Sequence, residues 1–143
     1  MISSIVVGTD GSDTASEAVR QAGELARTFG ARLHIVSAHA PVAVRVSSGR
    51  TPEAGEWNVN PDVIAEEVLT RAAGSLGEGI KVEMHARRGD PAEALIQVAE
   101  DERADILVVG NKGMSSARRF VLGNVPNKVS HHAPCSVLII RTT

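Results

Sequence analysis

The strongest constraint on the fold is a regular alternation of short β-branched runs with amphipathic segments of helical period. Five runs have the length and composition of strands, and four intervening segments keep apolar residues at helical spacing. Parallel strands need a crossover between them, so the alternation predicts a parallel sheet with helices on both faces. The 143 residues contain no internal repeat and no linker, and we interpret 1–143 as one domain.

The predicted strands differ in how much of their surface can face water. Ile2 to Gly8 is a β-branched run ending in glycine and should be buried on both faces. Ile80 to Arg87 alternates, which is typical of a strand at a sheet edge with one solvated face. Its expected buried face consists of Ile80, Val82, Met84 and Ala86. The other strands are predicted over Arg32 to Ala38, Ile106 to Val109 and Ser136 to Arg141.

Cap residues mark the starts of the predicted helices. The first helix can be capped by Ser12, by Asp13, or by Thr14 in a capping box with Glu17, and it ends at Gly30. The second begins at Asn60-Pro61, the third at Asp90-Pro91, and the fourth at Asn124, which suits an N-cap. The second helix should bury Ile64, Val68, Leu69, Ala72 and Leu76, and the third Leu95, Ile96 and Ala99.

Composition excludes several classes of function. A net charge of −2 favours neither nucleic acid nor an anionic membrane as partner, and 2% aromatic residues cannot build base-stacking platforms. Cys135 is the single cysteine, so no intrachain disulfide forms. Membrane-spanning runs and signal-peptide features are absent from the sequence. We therefore expect a cytoplasmic protein that binds neither nucleic acid nor membrane.

The most informative loop follows the fourth strand. Gly110 to Asn124 reads GNKGMSSARRFVLGN, with three glycines and three cations, and it leads into a helix N-terminus. Glycines let the backbone close on a phosphate, while free N–H groups and the helix dipole favour an anion. The alternative is a flexible surface loop in which Lys112, Arg118 and Arg119 form only a solvated face. Short glycine patterns alone do not decide between the two.

Ligands of open parallel sheets bind beyond the carboxyl ends of the strands, where the strand order reverses. Thr9 to Asp13 follows the first strand and Gly110 to Asn124 follows the fourth. If these two strands are neighbours, both loops border one crevice. We include Gly8, Thr9 and Val109 in the predicted nucleotide site because they end the two strands or start the first loop.

Three segments of the chain resemble the universal stress protein family. Gly110-x-x-Gly113, nine residues and then Gly123 followed by a polar residue is similar to its nucleotide motif. Val6 to Ser12, reading VVGTDGS, resembles its first strand and loop, and Pro134 to Ile140 resembles its last strand. The resemblance extends over essentially the whole chain. It implies an open five-stranded parallel sheet of order 3-2-1-4-5, Rossmann-like and of the adenine nucleotide alpha hydrolase-like type.

The resemblance also implies a function and a set of contacts. Members with this glycine pattern bind ATP, are commonly dimers, and act in stress survival or signalling. By this resemblance, Asp10 and Ala38 would contact adenine, while Gly110 and Gly113 would bound the ribose and phosphates. The phosphates would be held by Gly123, Asn124 and Val125. The expected cofactor is ATP or another adenine nucleotide, with or without Mg²⁺.

One residue departs from the family pattern. Asn124 stands where the family usually has Ser or Thr. An amide can still donate to a phosphate oxygen, but it is larger than a hydroxyl and is itself a good N-cap. The departure bears on triphosphate selectivity more than on anion binding, so AMP and cyclic nucleotides stay open as ligands.

The sequence leaves a weak ATP hydrolase or phosphotransferase as the alternative function. A Walker lysine and an evident acid pair for Mg²⁺ are missing, which argues against fast hydrolysis. The scarcity of aromatics argues against a flavin carrier, and Arg87-Arg88 at the end of the third strand stands where a response-regulator receiver needs an aspartate. We therefore expect a nucleotide-binding regulator without efficient catalysis.

Three further features of the sequence need an interpretation. His131, His132 and Cys135 look like metal ligands, but neighbouring helical histidines point in different directions, and we predict no metal there. The segment 39–60, with Trp57, is a functional flap or partly disordered. The last strand has the apolar run Val137 to Ile140 at an expected sheet edge, which predicts a homodimer through that edge.

Overall fold

A computed structural model describes residues 1–39, 61–111 and 124–142. They contain one sheet of five parallel strands in the order β3-β2-β1-β4-β5, which confirms the predicted fold class and strand order. The predicted residues Lys112, Gly113, Arg118, Arg119 and Gly123 lie outside the described residues, as does 40–60 with Trp57. The strands are β1 (Ser4–Gly8), β2 (Arg32–His39), β3 (Val82–Arg88), β4 (Ile106–Gly110) and β5 (Ser136–Ile140).

Four helices connect the strands, and their ends follow the predicted cap chemistry. In the first helix, Ser12 is the N-cap, and its hydroxyl accepts a hydrogen bond from the N–H of Ala15 at 3.2 Å. Gly30 ends the same helix in a left-handed conformation with φ 66°. The helices are α1 (Asp13–Phe29), α2 (Pro61–Gly74), α3 (Pro91–Asp101) and α4 (Asn124–His132). Thus Ser12, rather than Thr14 in a capping box, caps α1.

The core consists of two apolar layers, one on each face of the sheet. α1 and α2 cover the layer that contains Ile5, Val7 and Ile35. α3 and α4 cover the other, which contains Val6 and Leu107. All five residues of β1 are buried, as the sequence predicts for a central strand. Among the described helices, none combines the length and apolar character needed to cross a bilayer.

Two predicted faces are wrong in part, although Leu69, Ala72 and Leu76 of the first and Ile80 and Val82 of the second do pack in the core. Ile64 is 47% exposed, whereas its neighbour Ala65 is buried, because α2 turns the Ala65–Leu69 stripe toward the sheet. On β3, Met84 is 52% exposed and Ala86 is also exposed, although both belong to the predicted buried face. The alternate residue His85 is half-buried instead, since it contacts a buried residue of β2 across the strands. The edge position of β3 is nevertheless confirmed.

Several element ends also differ by one or two residues from their predictions. β1 starts at Ser4 rather than Ile2, and β2, β3 and β4 each end one residue later than predicted. β3 starts at Val82, so Ile80 precedes it and packs against the core from the preceding turn. β5 ends at Ile140, one residue before the predicted end. Asn124 is the first residue of α4, one position inside the N-cap role predicted for it.

Candidate functional site

The carboxyl edge of the sheet brings the two predicted loops together. β1 and β4 are parallel neighbours, with Val7 opposite Val108, so Gly8 and Gly110 end their strands at the same edge. β2 lies on the other side of β1, where Gly8 pairs with Val36. The condition for a shared crevice, that the first and fourth strands be adjacent, is therefore met.

The loop after β1 is a tight turn fixed by its own side chains. Thr9 is buried, its N–H donates to the Val36 carbonyl at 2.9 Å, and its hydroxyl accepts from the N–H of Gly11 at 3.1 Å. Asp10 is exposed, and its Oδ1 accepts from the N–H of Ser12 at 2.9 Å. Asp10 is thus a turn aspartate whose side chain also lies at the solvent-facing edge of the sheet.

Gly11 allows this turn to lie close to α2. Its φ is 83°, and a Cβ there would lie 3.1 Å from Cγ2 of Val68. A larger residue would therefore have both an unfavourable backbone and a close contact. The turn sits at the start of α1, so the N-terminal N–H groups of that helix also lie at the carboxyl edge.

The end of β4 is packed against two other parts of the chain. A Cβ on Gly110 would lie 3.4 Å from Cγ2 of Thr142 and 4.0 Å from the carbonyl oxygen of Thr14 in α1. Asn111 donates its N–H to the Ile140 carbonyl at 2.8 Å, and its Oδ1 accepts from the N–H and hydroxyl of Thr142, each at 2.9 Å. The first residues after β4 are therefore held beside the α1 start.

The other residues of the predicted nucleotide site could contact a ligand either through a side chain or only through the backbone. Asn124 is exposed at the start of α4, whose first turn contains no acidic residue. Val109 and Val125 are buried in the α3–α4 layer, so only their backbone groups can reach a ligand. Ala38 is half-buried near the end of β2. Gly113 and Gly123 lie in the part of the chain that is not described, and their contacts stay predictions.

The structure adds a polar cluster at this edge that sequence reasoning missed. His39 ends β2, and its Nε2 lies 2.8 Å from Oδ1 of Asp62 in α2. Arg88 at the end of β3 donates to Oδ2 of Asp62 at 2.7 Å and, by this hydrogen bond, lowers the pKa of that carboxyl. The sequence analysis placed His39 in the 39–60 segment rather than in β2, and the only signal was that His39 and Arg88 each directly follow a predicted strand.

A second cation joins α3 to α4 near the same edge. Lys128 lies 3.2 Å from Oδ2 of Asp90, the N-cap of α3, and 3.2 Å from Oε1 of Glu93. The Oδ2 atom of Asp90 also accepts from the N–H of Glu93 at 3.0 Å, and this hydrogen bond is the main cause of the lowered pKa of Asp90. These contacts fix the starts of α3 and α4 relative to one another.

The three residues considered as metal ligands lie at the end of α4 and just before β5. His131 and His132 are exposed at the end of α4, with ring centroids 6.4 Å apart. Cys135 is half-buried before β5, and burial raises the pKa of its thiol.

The carboxyl edge contains groups that can favour an anion. It presents the N-termini of α1 and α4 together with small residues, which suit phosphate and ribose, whereas the N–H groups of Gly11 and Ser12 already donate within their turn. Asp10 and Asn124 are its exposed polar side chains from the predicted set.

Comparison with known proteins identifies one family and similar sequences within it. The family model described as "Universal stress protein family" matches residues 1–141. Universal stress protein Rv1636 of Mycobacterium tuberculosis is 38% identical over 141 residues, covering 97% of this chain and 96% of that protein.

Two solved structures of similar proteins contain nucleotides. A universal stress protein in complex with cAMP has 33% identity and a TM-score of 0.70, with 99% of this chain and 98% of that chain covered. The universal stress protein from Archaeoglobus fulgidus in complex with dAMP has 27% identity and a TM-score of 0.68, with 99% and 100% covered.

Proposed function

This chain belongs to the universal stress protein family, and from that premise we propose that it is an adenine-nucleotide-binding regulator without efficient catalysis. The observation that carries the proposal is the adjacency of β1 and β4, which places Thr9 to Asp13 and the start of the glycine loop at one edge. The cAMP and dAMP complexes of similar proteins support adenine as the base.

Within this proposal, the base lies near Asp10 and Ala38. Asp10 keeps one carboxylate oxygen in its turn, and the other is free of that hydrogen bond and suits an amino or hydroxyl donor. Ala38 is small and partly exposed, so it offers an apolar surface without filling the space.

The ribose and phosphates lie between Gly110, Gly113 and the start of α4. Gly123, Asn124 and Val125 hold phosphate oxygens mainly through backbone N–H groups, because the Val125 side chain is buried and cannot turn outward. Asn124 adds a side-chain amide donor from an exposed position. The absence of an acidic residue from the first turn of α4 leaves the helix dipole available to the anion.

The same site supports slow chemistry at most. The chain lacks the Walker lysine, and the proposed phosphate contacts are backbone donors rather than an acid or base. We expect turnover far below the typical enzyme range of about 1 to 1000 per second. Mg²⁺ can accompany ATP as the counter-ion of its phosphates.

We also propose a homodimer through β5. Leu138 is 37% exposed on this edge strand, and its neighbours Val137 and Ile139 are only half-buried. Exposed apolar edges favour association, and a two-fold pairing would cover each edge with its copy. Sedimentation of the chain at micromolar concentration tests this, and a 15.0 kDa monomer alone would contradict it.

Calorimetric titration with ATP, AMP and cyclic AMP tests nucleotide binding, and a guanine nucleotide serves as the matched control for the base. We expect heat from at least one adenine nucleotide and weaker binding of the guanine nucleotide. If folded protein gives no heat with any of them, the binding proposal is wrong. Several turnovers of ATP per second would contradict the proposed lack of efficient catalysis.

A further inference from the structure

Four side chains from three elements converge on the α3 side of the sheet. His34 lies on β2 and is only 1% exposed, Glu83 and His85 lie on β3, and Glu102 directly follows α3. Each offers one ligand atom, and these four atoms all lie within 4.8 Å of one another. Two imidazoles and two carboxylates are a donor set that first-row divalent metals bind.

The cluster is distinct from the proposed nucleotide site. His34 pairs in register with Val6 and with Glu83, in the interior of the sheet rather than at its carboxyl edge. The hydroxyl of Ser4, the first residue of β1, donates to the backbone carbonyl of Glu102 at 3.2 Å. Glu102 therefore lies at the amino edge, opposite the loops after β1 and β4.

We propose that His34, Glu83, His85 and Glu102 form a binding site for a divalent transition-metal ion, with Zn²⁺ as the preferred class of ion. The ion would join edge strand β3 to β2 and to the end of α3. This proposal does not depend on nucleotide binding.

The distances fit a metal site that closes with small movements. Nδ1 of His34 lies 3.0 Å from Nε2 of His85 and 3.1 Å from Oε2 of Glu83. Tetrahedral zinc with bonds of about 2.0–2.2 Å places its ligand atoms about 3.4 Å apart. The two short contacts need to open by a few tenths of an ångström. Glu102 needs to approach Nδ1 of His34, because the 3.9 Å contact of its Oε2 is with the other ring nitrogen, Nε2.

His34 is buried, whereas the two glutamates of the cluster are partly open to solvent. Burial lowers the pKa of His34, and burial together with the nearby His34 and Arg87 lowers the pKa of His85. The two glutamates are 43% and 37% exposed at their side chains, which gives an ion a route from solvent.

Two arginines act on the site from outside. Arg32 lies 3.2 Å from Oε1 of Glu83 and so leaves Oε2 directed toward His34, as an orienting residue should. Arg87 opposes the ion, because its guanidinium lies 3.4 Å from Nδ1 of His85 and adds positive charge. When Nε2 of His85 binds a metal, Nδ1 carries the proton, so this contact must open.

Nucleotide-free protein titrated with Zn²⁺, followed by calorimetry and by thermal unfolding, tests the proposal. We expect one ion per chain and a melting temperature that rises with zinc concentration. His85→Gln and Glu102→Gln should each weaken binding at least about tenfold, whereas Arg87→Gln should strengthen it. His132→Gln is the matched control, because it removes an exposed imidazole outside the cluster, and it should leave zinc affinity unchanged.

Cobalt gives an independent readout. Co²⁺ bound at this site should show the visible absorption of a four-coordinate ion, and His85→Gln should remove that spectrum. The proposal is overturned if no saturable zinc binding occurs up to about 100 µM. It is equally overturned if His85→Gln and Glu102→Gln bind as the wild type does, or if His132→Gln loses the ion. Should His85→Gln fail to fold, Glu102→Gln and the wild-type cobalt spectrum decide the matter.

Discussion

The two ends of this sheet present different kinds of chemistry. At the carboxyl edge, the residues that carry the proposed function are small or turn-forming, and consecutive stretches such as Thr9 to Ser12 supply them. In the cluster that extends from the middle of β2 and β3 to Glu102 at the amino edge, charged and titratable side chains meet although His34, Glu83 and Glu102 are far apart in sequence. A backbone-built anion site leaves a local motif in the sequence, whereas a side-chain cluster depends on strand register and leaves none.

The largest expected effect is a loss of nucleotide affinity at the carboxyl edge. Gly113→Val should weaken nucleotide binding by about 100-fold or more, because a β-branched residue at a positive φ or against a ligand is strained. Lys112→Ala, the matched control, should have a much smaller effect, since we assign phosphate binding mainly to backbone donors. Calorimetry with an adenine nucleotide measures both.

Gly113→Val also tests whether the proposed nucleotide and zinc sites are independent. Gly113→Val should keep its far-UV dichroism, its cooperative thermal transition and its zinc affinity. Wild-type nucleotide affinity in the variant would mean that Gly113 is only a turn residue. Loss of zinc binding as well would contradict the independence of the two sites.

The second-largest effect is expected on the stability of the protein, through the N-cap of α3. This helix starts near the carboxyl edge and ends at the amino edge. Asp90→Ala removes the N-cap and the partner of Lys128, and loss of a cap costs about 1 kcal/mol. For a chain of this size we expect the melting temperature to fall by about 3 °C. Asp13→Ala is the control, because Asp13 lies in the first turn of α1 but Ser12 caps that helix. An equal fall in both variants would refute the role of the cap.

The sequence predicted most of the fold because its signals are local. The cap Asp90, the terminal Gly30 and the fully buried β1 each follow from short-range chemistry, and the structure bears them out. Ile64 was misplaced because α2 has a weak apolar stripe, so the periodicity does not fix which side faces the sheet.

The cluster of His34, Glu83, His85 and Glu102 could not be predicted in the same way. Alternation on β3 identified an edge strand, but it assigned the polar residues to solvent, whereas His85 is half-buried against His34. That contact exists only because β2 pairs with β3 in the register that sets His34 opposite Glu83. A histidine inside a predicted central strand, together with His85 and Glu83 on one face of an edge strand, is the signal that could have been used.

A smaller effect is expected where Asp105 ties β4 to the start of β1. Its Oδ2 accepts from the N–H groups of Ser3 at 2.7 Å and Ser4 at 3.0 Å, and these bonds lower the pKa of the carboxyl. A lowered pKa means that the stabilisation is present above the unfolded value of about 3.9 and is lost as pH falls through the folded value.

Thermal unfolding of the wild type and of Asp105→Asn as a function of pH measures this contribution. The wild type should be the more stable protein at pH 7, and the difference should shrink as the pH falls below about 4. A difference that is the same at neutral and acidic pH would show that the carboxylate charge is not responsible.

The smallest expected effect is that of zinc binding on the affinity for a nucleotide at the carboxyl edge. Saturating the zinc site should change the affinity for cyclic AMP by less than about threefold, below the roughly 5- to 150-fold range of typical allosteric coupling. The strands between the two ends are packed on both faces, and coupling needs an element with two discrete arrangements. Cyclic AMP is the appropriate ligand because its single phosphodiester competes weakly for the metal. Calorimetry with and without Zn²⁺ measures the coupling, and His85→Gln shows whether any change comes from the cluster. A tenfold change in the wild type that disappears in His85→Gln would mean that β3 or α3 transmits metal binding to the carboxyl edge.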